Sequence, residues 1–255
     1  MPEYAKFSET ARATPLVMIH GLLGPIDFFA PAARLDNIPI HTPDLLGYRR
    51  YRDAAGQLTL ATQAAHVAQY IKLHVNEPCY ALGHSVGGAI AMLLARQEPV
   101  LVKGVISAEG NFTLNDAFWC RHIAPLDADA WAAEYAQMQR APSDWLRKND
   151  IEPNEERLAW ANAILSNQSA AAVQSMAKAV VKETADPAFL TEVRGLLDKK
   201  IPVWLLAGEK SASGWDVPTW VRQAAHTYVT IPETGHMMML EKPKEFCDAL
   251  RSMLY

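Results

Sequence analysis

Cys79-Tyr80-Ala81-Leu82-Gly83-His84-Ser85-Val86-Gly87-Gly88-Ala89-Ile90-Ala91-Met92-Leu93-Leu94 reads as a strand that turns sharply into a helix. Residues 79–82 form a short apolar run, as a strand buried on both faces requires. Residues 86–96 are small or apolar nearly all round, as a helix buried against a sheet requires. The turn between them is G-x-S-x-G. A bare match of that kind arises by chance in roughly one chain in ten of this length. The strand before it and the helix after it therefore carry the reading. A serine hydroxyl is a weak nucleophile and must stand exposed beside a base. Glycines on both sides let such a turn close, and the helix N-terminus supplies amide donors beside Ser85.

Working outward, further apolar runs at 16–19, 38–41, 102–107, 203–207 and 228–231 read as buried parallel strands, most of them punctuated by Gly or Pro. Helical patterns separate many of them: 62–74, and 245–254 with Phe246, Leu250 and Leu254 at helical spacing. Strands alternating with helices imply an α/β fold, a mostly parallel central sheet with helices on both faces and right-handed crossovers. Between about 111 and 200 the pattern is helical without a convincing strand. Asp127 and Asn154 suit N-caps, Val173, Met176 and Val180 mark another helix, and Asp186-Pro187 suits a helix start. The last of these helices leads into the strand at Val203 and belongs with the core. We expect a core of residues 1–110 and 187–255, with residues 111–186 as a helical cap rather than an independent domain, since no polar linker flanks it.

Two further motifs complete a site. His20-Gly21-Leu22-Leu23-Gly24 follows the first strand. A glycine-rich loop there can turn the amide of Leu22 toward that of Val86, making a two-donor site for a carbonyl oxygen that gains negative charge. Thr234-Gly235-His236 follows the last strand and precedes the C-terminal helix. Of eight histidines, His236 has this late strand-to-helix loop context, which suits a general base for Ser85.

These motifs together resemble the α/β-hydrolase family. HGLLG, PDLLGY (residues 43–48), GHSVGG and TGHMMMLEKPKEF (residues 234–246) occur in that family's order and at its intervals. The resemblance implies a Ser-His-acid triad, an oxyanion hole at Leu22 and Val86, and an eight-stranded sheet. The stretch before Leu16 is short for every family strand, so a missing edge strand is expected. One departure stands out. Relatives commonly carry the acid in G-E-K-D, whereas this chain reads Gly208-Glu209-Lys210-Ser211. The acid must come from elsewhere. Glu109 directly follows the 102–107 strand, at the kind of strand end where sites gather in open α/β sheets. It ranks first, ahead of Asp216 on the loop beyond Gly208 and of Asp116.

The expected chemistry is hydrolysis of a small or medium apolar ester through an acyl-enzyme, with no metal or organic cofactor. The expected pocket residues are Leu22, Leu23, Phe28, Phe29 and Met237, together with Trp119 and Trp131 of the cap; Tyr135, Met138, Trp145 and Trp160 are further candidates. Thioesterase and carbon–carbon bond hydrolase readings stay open, as do a receptor that keeps the triad without turnover and a domain whose motif is incidental. Dehalogenase and epoxide hydrolase chemistry is disfavoured, because relatives performing it use aspartate where Ser85 stands.

Composition bounds the rest. The chain has 255 residues, half of them hydrophobic, and a net charge of −4. No basic stripe suits nucleic acid, and Arg49, Arg50 and Arg52 read as a solvated loop. Three cysteines without close spacing suit neither a disulfide framework nor a zinc site. No run of eighteen apolar residues suits a membrane span, and residues 1–10 lack a signal peptide's apolar stretch. A cytoplasmic protein acting on a small molecule is expected; the sequence carries no sign of its oligomeric state.

Overall fold

A computed structural model describes residues 13–54 and 58–254; the segment 1–10, read above as carrying no signal peptide, lies outside them. The strands are β1 (Leu16–Ile19), β2 (Ile40–His41), β3 (Cys79–His84), β4 (Val102–Ala108), β5 (Val203–Gly208) and β6 (Thr227–Ile231). Their order is β2-β1-β3-β4-β5-β6, and all five pairings are parallel. Each lies where an apolar run predicts one. The described sheet is two strands short of the eight that the resemblance implies.

The helices are α1 (Pro31–Arg34), α2 (Leu60–Tyr70), α3 (Val86–Gln97), α4 (Phe118–Ile123), α5 (Ala128–Arg140), α6 (Pro142–Lys148), α7 (Glu155–Ser166), α8 (Ala170–Ala185), α9 (Pro187–Asp198), α10 (Thr219–Ala224), α11 (Met238–Glu241) and α12 (Pro243–Leu254). Their starts are locally encoded. The Thr59 hydroxyl accepts from the Thr62 amide at 3.0 Å, and the Thr62 hydroxyl accepts from the Thr59 amide, closing a capping box on α2. Asp127, Asn154, Ser169 and Asp186 cap α5, α7, α8 and α9 through their side chains.

Alternation along the strands divides the core between the two faces of the sheet. Val17, Ile19, Ala81, Val105, Val203 and Leu205 pack on one face with α2, α3 and α9. Leu16, Met18, Leu82, Ile106, Trp204 and Leu206 pack on the other with Phe29 and with Phe246 and Leu250 of α12. Residues 86–95 of α3 are all buried, as its small side chains require. Of the helices between β4 and β5, α8 contributes Val173, Met176 and Val180 to the first of these cores. Trp145, Leu146, Ile164 and Leu165 form a smaller cluster of their own with Leu240.

The basic loop carries its own counter-charges: Arg49 pairs with Asp27 at 2.8 Å and Arg50 with Asp44 at 2.9 Å. The three cysteines are free and buried. No helix among the described residues is long and apolar enough to cross a membrane.

Register decides what comes next. Ile19 stands opposite Gly83, Gly83 opposite Ser107, and Gly208 opposite Ile231. The C-terminal ends of β1, β3 and β4 are therefore level, and so are those of β5 and β6. The loops leaving them emerge along one edge of the sheet, where ligand sites of open α/β sheets lie.

Candidate active site

Ser85 occupies the turn between β3 and α3 with φ 54° and ψ −124°. A non-glycine residue there is strained by about 1–3 kcal/mol. Its surroundings hold it in place: its amide donates to Ala108 O at 3.0 Å, and its carbonyl accepts from Gly88 N at 2.8 Å and from Asn111 N at 3.1 Å. The flanking glycines are sterically required. A Cβ on Gly83 would come within 2.1 Å of Gly87 O, and one on Gly87 within 2.3 Å of Ile19 O. Both contacts are with backbone, which cannot swing away.

Glu109 leaves the neighbouring strand, also left-handed at φ 44°, with its amide donating to Leu206 O at 2.9 Å. Its carboxylate is buried, with the side chain 4% exposed. Oε1 accepts from Gly208 N at 2.8 Å and from Ser211 Oγ at 2.5 Å. Oε2 accepts from Nδ1 of His236 at 2.7 Å. Burial alone would raise the carboxyl's pKa. The His236 imidazole, the Ser211 hydroxyl and the Gly208 amide outweigh it and hold the group below the usual carboxylate range. A carboxylate can only accept, so Nδ1 carries the imidazole proton and Nε2 is left as the acceptor.

His236 reaches this point because its loop packs directly on β5. A Cβ on Gly208 would lie 2.2 Å from Gly235 O. Lys210 N donates to Thr234 O, and Gly235 N donates to the Glu241 carboxylate at 2.7 Å. His84, which borders the same cavity as Ser85, braces His236 from its other side: its Nε2 donates to His236 O at 2.9 Å, with the two rings 4.6 Å apart. Burial pushes His84 down to about 3, so it stays neutral.

The loop after β1 approaches from the other side. A Cβ on Gly21 would meet the Ser85 Cβ at 3.0 Å. Buried His20, pushed down to about 4 by desolvation, donates from Nδ1 to Gly21 O at 2.8 Å. The buried Tyr48 hydroxyl donates to Leu22 O at 2.8 Å. Among the described residues no protein acceptor takes the amide of Leu22 or Val86. Both stay available as donors.

A cavity enclosing about 60 Å³ opens over Ser85. Its wall includes Leu22, Leu23, Trp119 and Met237 from the expected set, and His236. Ser85 and His236 line it together without a hydrogen bond joining their side chains. Three expected pocket residues belong elsewhere. Phe29 is fully buried, its ring 5.7 Å from that of Phe246. Trp131 is 1% exposed; its Nε1 donates to Ala170 O and its ring packs against Tyr135 5.4 Å away. Phe28 packs between Phe29 and Trp160 at ring distances of 5.3 and 5.6 Å. All three hold segments together instead of lining the cavity. Of the further candidates, Trp145 lines the cavity. Unforeseen wall residues are Phe118, Asn111, Asp116, Cys120 and Asn149; nothing in helix periodicity separates Phe118 from its neighbours.

The other carboxylates serve loops. Asp216 accepts from Thr113 Oγ1 at 2.7 Å and from Asn115 Nδ2 at 2.9 Å, so it staples two loops and does not touch His236. Asp116 accepts from Phe112 N at 2.9 Å and from Asn111 Nδ2. Burial pushes its carboxyl up to about 6. No group of three or more His, Cys, Asp or Glu among the described residues could hold a metal ion.

Residues 16–249 match the alpha/beta hydrolase family, to which this chain belongs. A curated relative, the 2-succinyl-6-hydroxy-2,4-cyclohexadiene-1-carboxylate synthase of Serratia proteamaculans, is 27% identical over 94% of this chain and 92% of its own length. Among solved structures, an esterase from Exiguobacterium antarcticum superposes with a TM-score of 0.70 at 20% identity, covering 95% of this chain and 92% of that one. A thermophilic esterase from Thermogutta terrifontis gives 0.68 at 19% identity, covering 95% and 89%. At those identities the two structures share the fold.

Proposed function

We propose that the protein hydrolyses carboxylic esters of small or medium apolar acids through an acyl-enzyme. The observation that carries this is the 2.7 Å bond between His236 and Glu109 beside the strained turn that presents Ser85 over the cavity. In this reading Ser85 Oγ attacks the ester carbonyl, and His236 Nε2 takes its proton. Glu109 holds the Nδ1–H tautomer and stabilises the imidazolium that forms. The Leu22 and Val86 amides stabilise the oxyanion. The alcohol leaves with the proton from Nε2. Water then attacks the acyl-enzyme by the same route and releases the acid. The Ser85–His236 hydrogen bond closes when substrate binds, as catalytic hydrogen bonds often do. Leu22, Leu23, Trp119 and Met237 give the acyl group apolar walls, and residues 111–186 cap it.

The relative named as a synthase spans nearly the whole chain, which favours a second reading: the same Ser-His pair performing chemistry other than hydrolysis. Turnover of p-nitrophenyl acetate, butyrate and octanoate, beside a thioester and Ser85→Ala, separates the readings. Steady ester turnover lost in Ser85→Ala supports the esterase. Preference for the thioester makes it a thioesterase. Single-turnover labelling without steady release supports a receptor. A Ser85 that takes a fluorophosphonate while no ester or thioester turns over supports the second reading.

A further inference from the structure

We propose that Ser211 is a positioning residue for the reaction, acting through Glu109 to aim and tune His236; this rests on the triad reading above. Ser211 stands where the chain departs from G-E-K-D, yet it has not left the site. Its hydroxyl donates to Glu109 Oε1 at 2.5 Å, against 3.3 Å to Gly208 O, so its one proton serves the carboxylate. Gly208 N donates to the same oxygen at 2.8 Å. Oε1 is thus pinned by two donors, and Oε2 is left facing Nδ1 of His236 at 2.7 Å. Hydrogen bonds to a charged group are short and strong, and here one of them fixes the rotation of a buried carboxylate.

The contact also means that carboxylates at 109 and 211 would work against each other here. An aspartate at 211 would bring a second carboxylate against Oε1. Two carboxylates sharing a site cannot both stay ionised, and one is forced to hold a proton. A hydroxyl in that place supplies the proton that the pair would otherwise lack. Serine at 211 is therefore the residue type that lets Glu109 work as the acid. The side chain also borders a second cavity of about 280 Å³, shared with Glu109, Lys210 and His236, so a methyl group added there has room.

The test compares Ser211→Ala, Ser211→Thr, Ser211→Asp, Glu109→Gln and the Glu109→Gln/Ser211→Asp double variant. The readouts are kcat, KM and the pH profile of p-nitrophenyl ester hydrolysis, together with the rate of Ser85 labelling by a fluorophosphonate against pH. Losing the donor makes the carboxylate more basic, so it keeps the imidazole protonated to higher pH. Ser211→Ala should lower kcat by about tenfold, leave KM within about twofold, and move the acid limb of both profiles to higher pH. Ser211→Thr should restore them. Ser211→Asp alone should impair the enzyme, and the double variant should exceed Glu109→Gln by about tenfold or more. Unchanged kcat and pH limb in Ser211→Ala overturn the proposal. So does a Ser211→Thr that matches Ser211→Ala, which would mark a packing role. If the wild-type Ser85 does not label at all, the triad reading itself falls. If it labels and Ser211→Ala labels identically at every pH, only the role of Ser211 falls.

Discussion

The strand ends and the helical segment between β4 and β5 enclose one cavity by different means. At the strand ends, Ser85 and Glu109 each stand one residue beyond a strand, in left-handed backbone held by hydrogen bonds to the next strand. Sheet register places them, so a motif at a strand end is also a coordinate. In the helical segment, burial says little about position. Trp131 and Tyr135 are as buried as any core residue, but their polar atoms go to the carbonyls of Ala170 and Leu165. Trp119 and Phe118, on a short helix near the strand end, reach the cavity. An amphipathic helix specifies that a face is covered; it does not specify whether substrate or another helix covers it.

The largest expected effect falls on the strand-end side. Ser85→Ala should lose about 10⁴-fold or more in kcat with the fold intact, as read by ester hydrolysis beside circular dichroism. Activity within tenfold of wild type would remove the site from the strand ends. Next comes the choice of acid. Glu109→Gln should lose about 10³–10⁴-fold in kcat, while Asp216→Asn, which perturbs a loop staple, stays within a few-fold. The reverse outcome in the same assay would move the acid to the later loop.

In the helical segment, the two tryptophans should separate. Trp131→Ala should cost about 3–5 kcal/mol in denaturant unfolding with an unchanged ratio of acetate to octanoate ester turnover. Trp119→Ala should change that ratio with a smaller loss of stability. If Trp131→Ala shifts chain-length preference and Trp119→Ala does not, the assignment of the two residues is inverted.

Asp116, at the junction of the two regions, gives a pH test. Its carboxyl ordinarily titrates near 3.8 and in the fold near 6. Between those values the folded state holds the proton that the unfolded chain has released. Its contribution to stability is therefore present below about 4 and is lost as pH rises to about 6. The span of about 2.2 units corresponds to at most about 3 kcal/mol. Asp116→Asn cannot ionise, so from pH 4 to 7 its unfolding free energy should gain on wild type by up to that amount. A gap between the two that does not change with pH would show that the carboxyl is not perturbed by burial. The smallest effect is expected for Tyr48→Phe, which leaves Leu22 O without its donor: a loss of about 1 kcal/mol in stability and a few-fold in kcat, with KM little changed. A wild-type kcat would show that the Leu22 loop keeps its place without that bond.

Much of this molecule is determined by short stretches of its own sequence. Six apolar runs are six strands, because a strand buried on both faces must be continuously apolar. The glycines at 83 and 87 and the small residues of α3 prescribe the turn at Ser85, because no side chain fits against the backbone there. Asp127, Asn154 and Asp186 prescribe helix starts, because capping is a contact over two or three residues. The tertiary structure decided what depends on distance between segments. Glu109 meets His236 across 127 residues and the Gly208 amide across 99; its strand-end position ranks it ahead of Asp216, but strand order and register are what bring it against the imidazole. The same holds for Trp131 against Trp119 and for the hydroxyl of Ser211. Each is an ordinary residue in its own stretch of chain, and its role is set by the side chain or backbone that a different strand or helix brings against it.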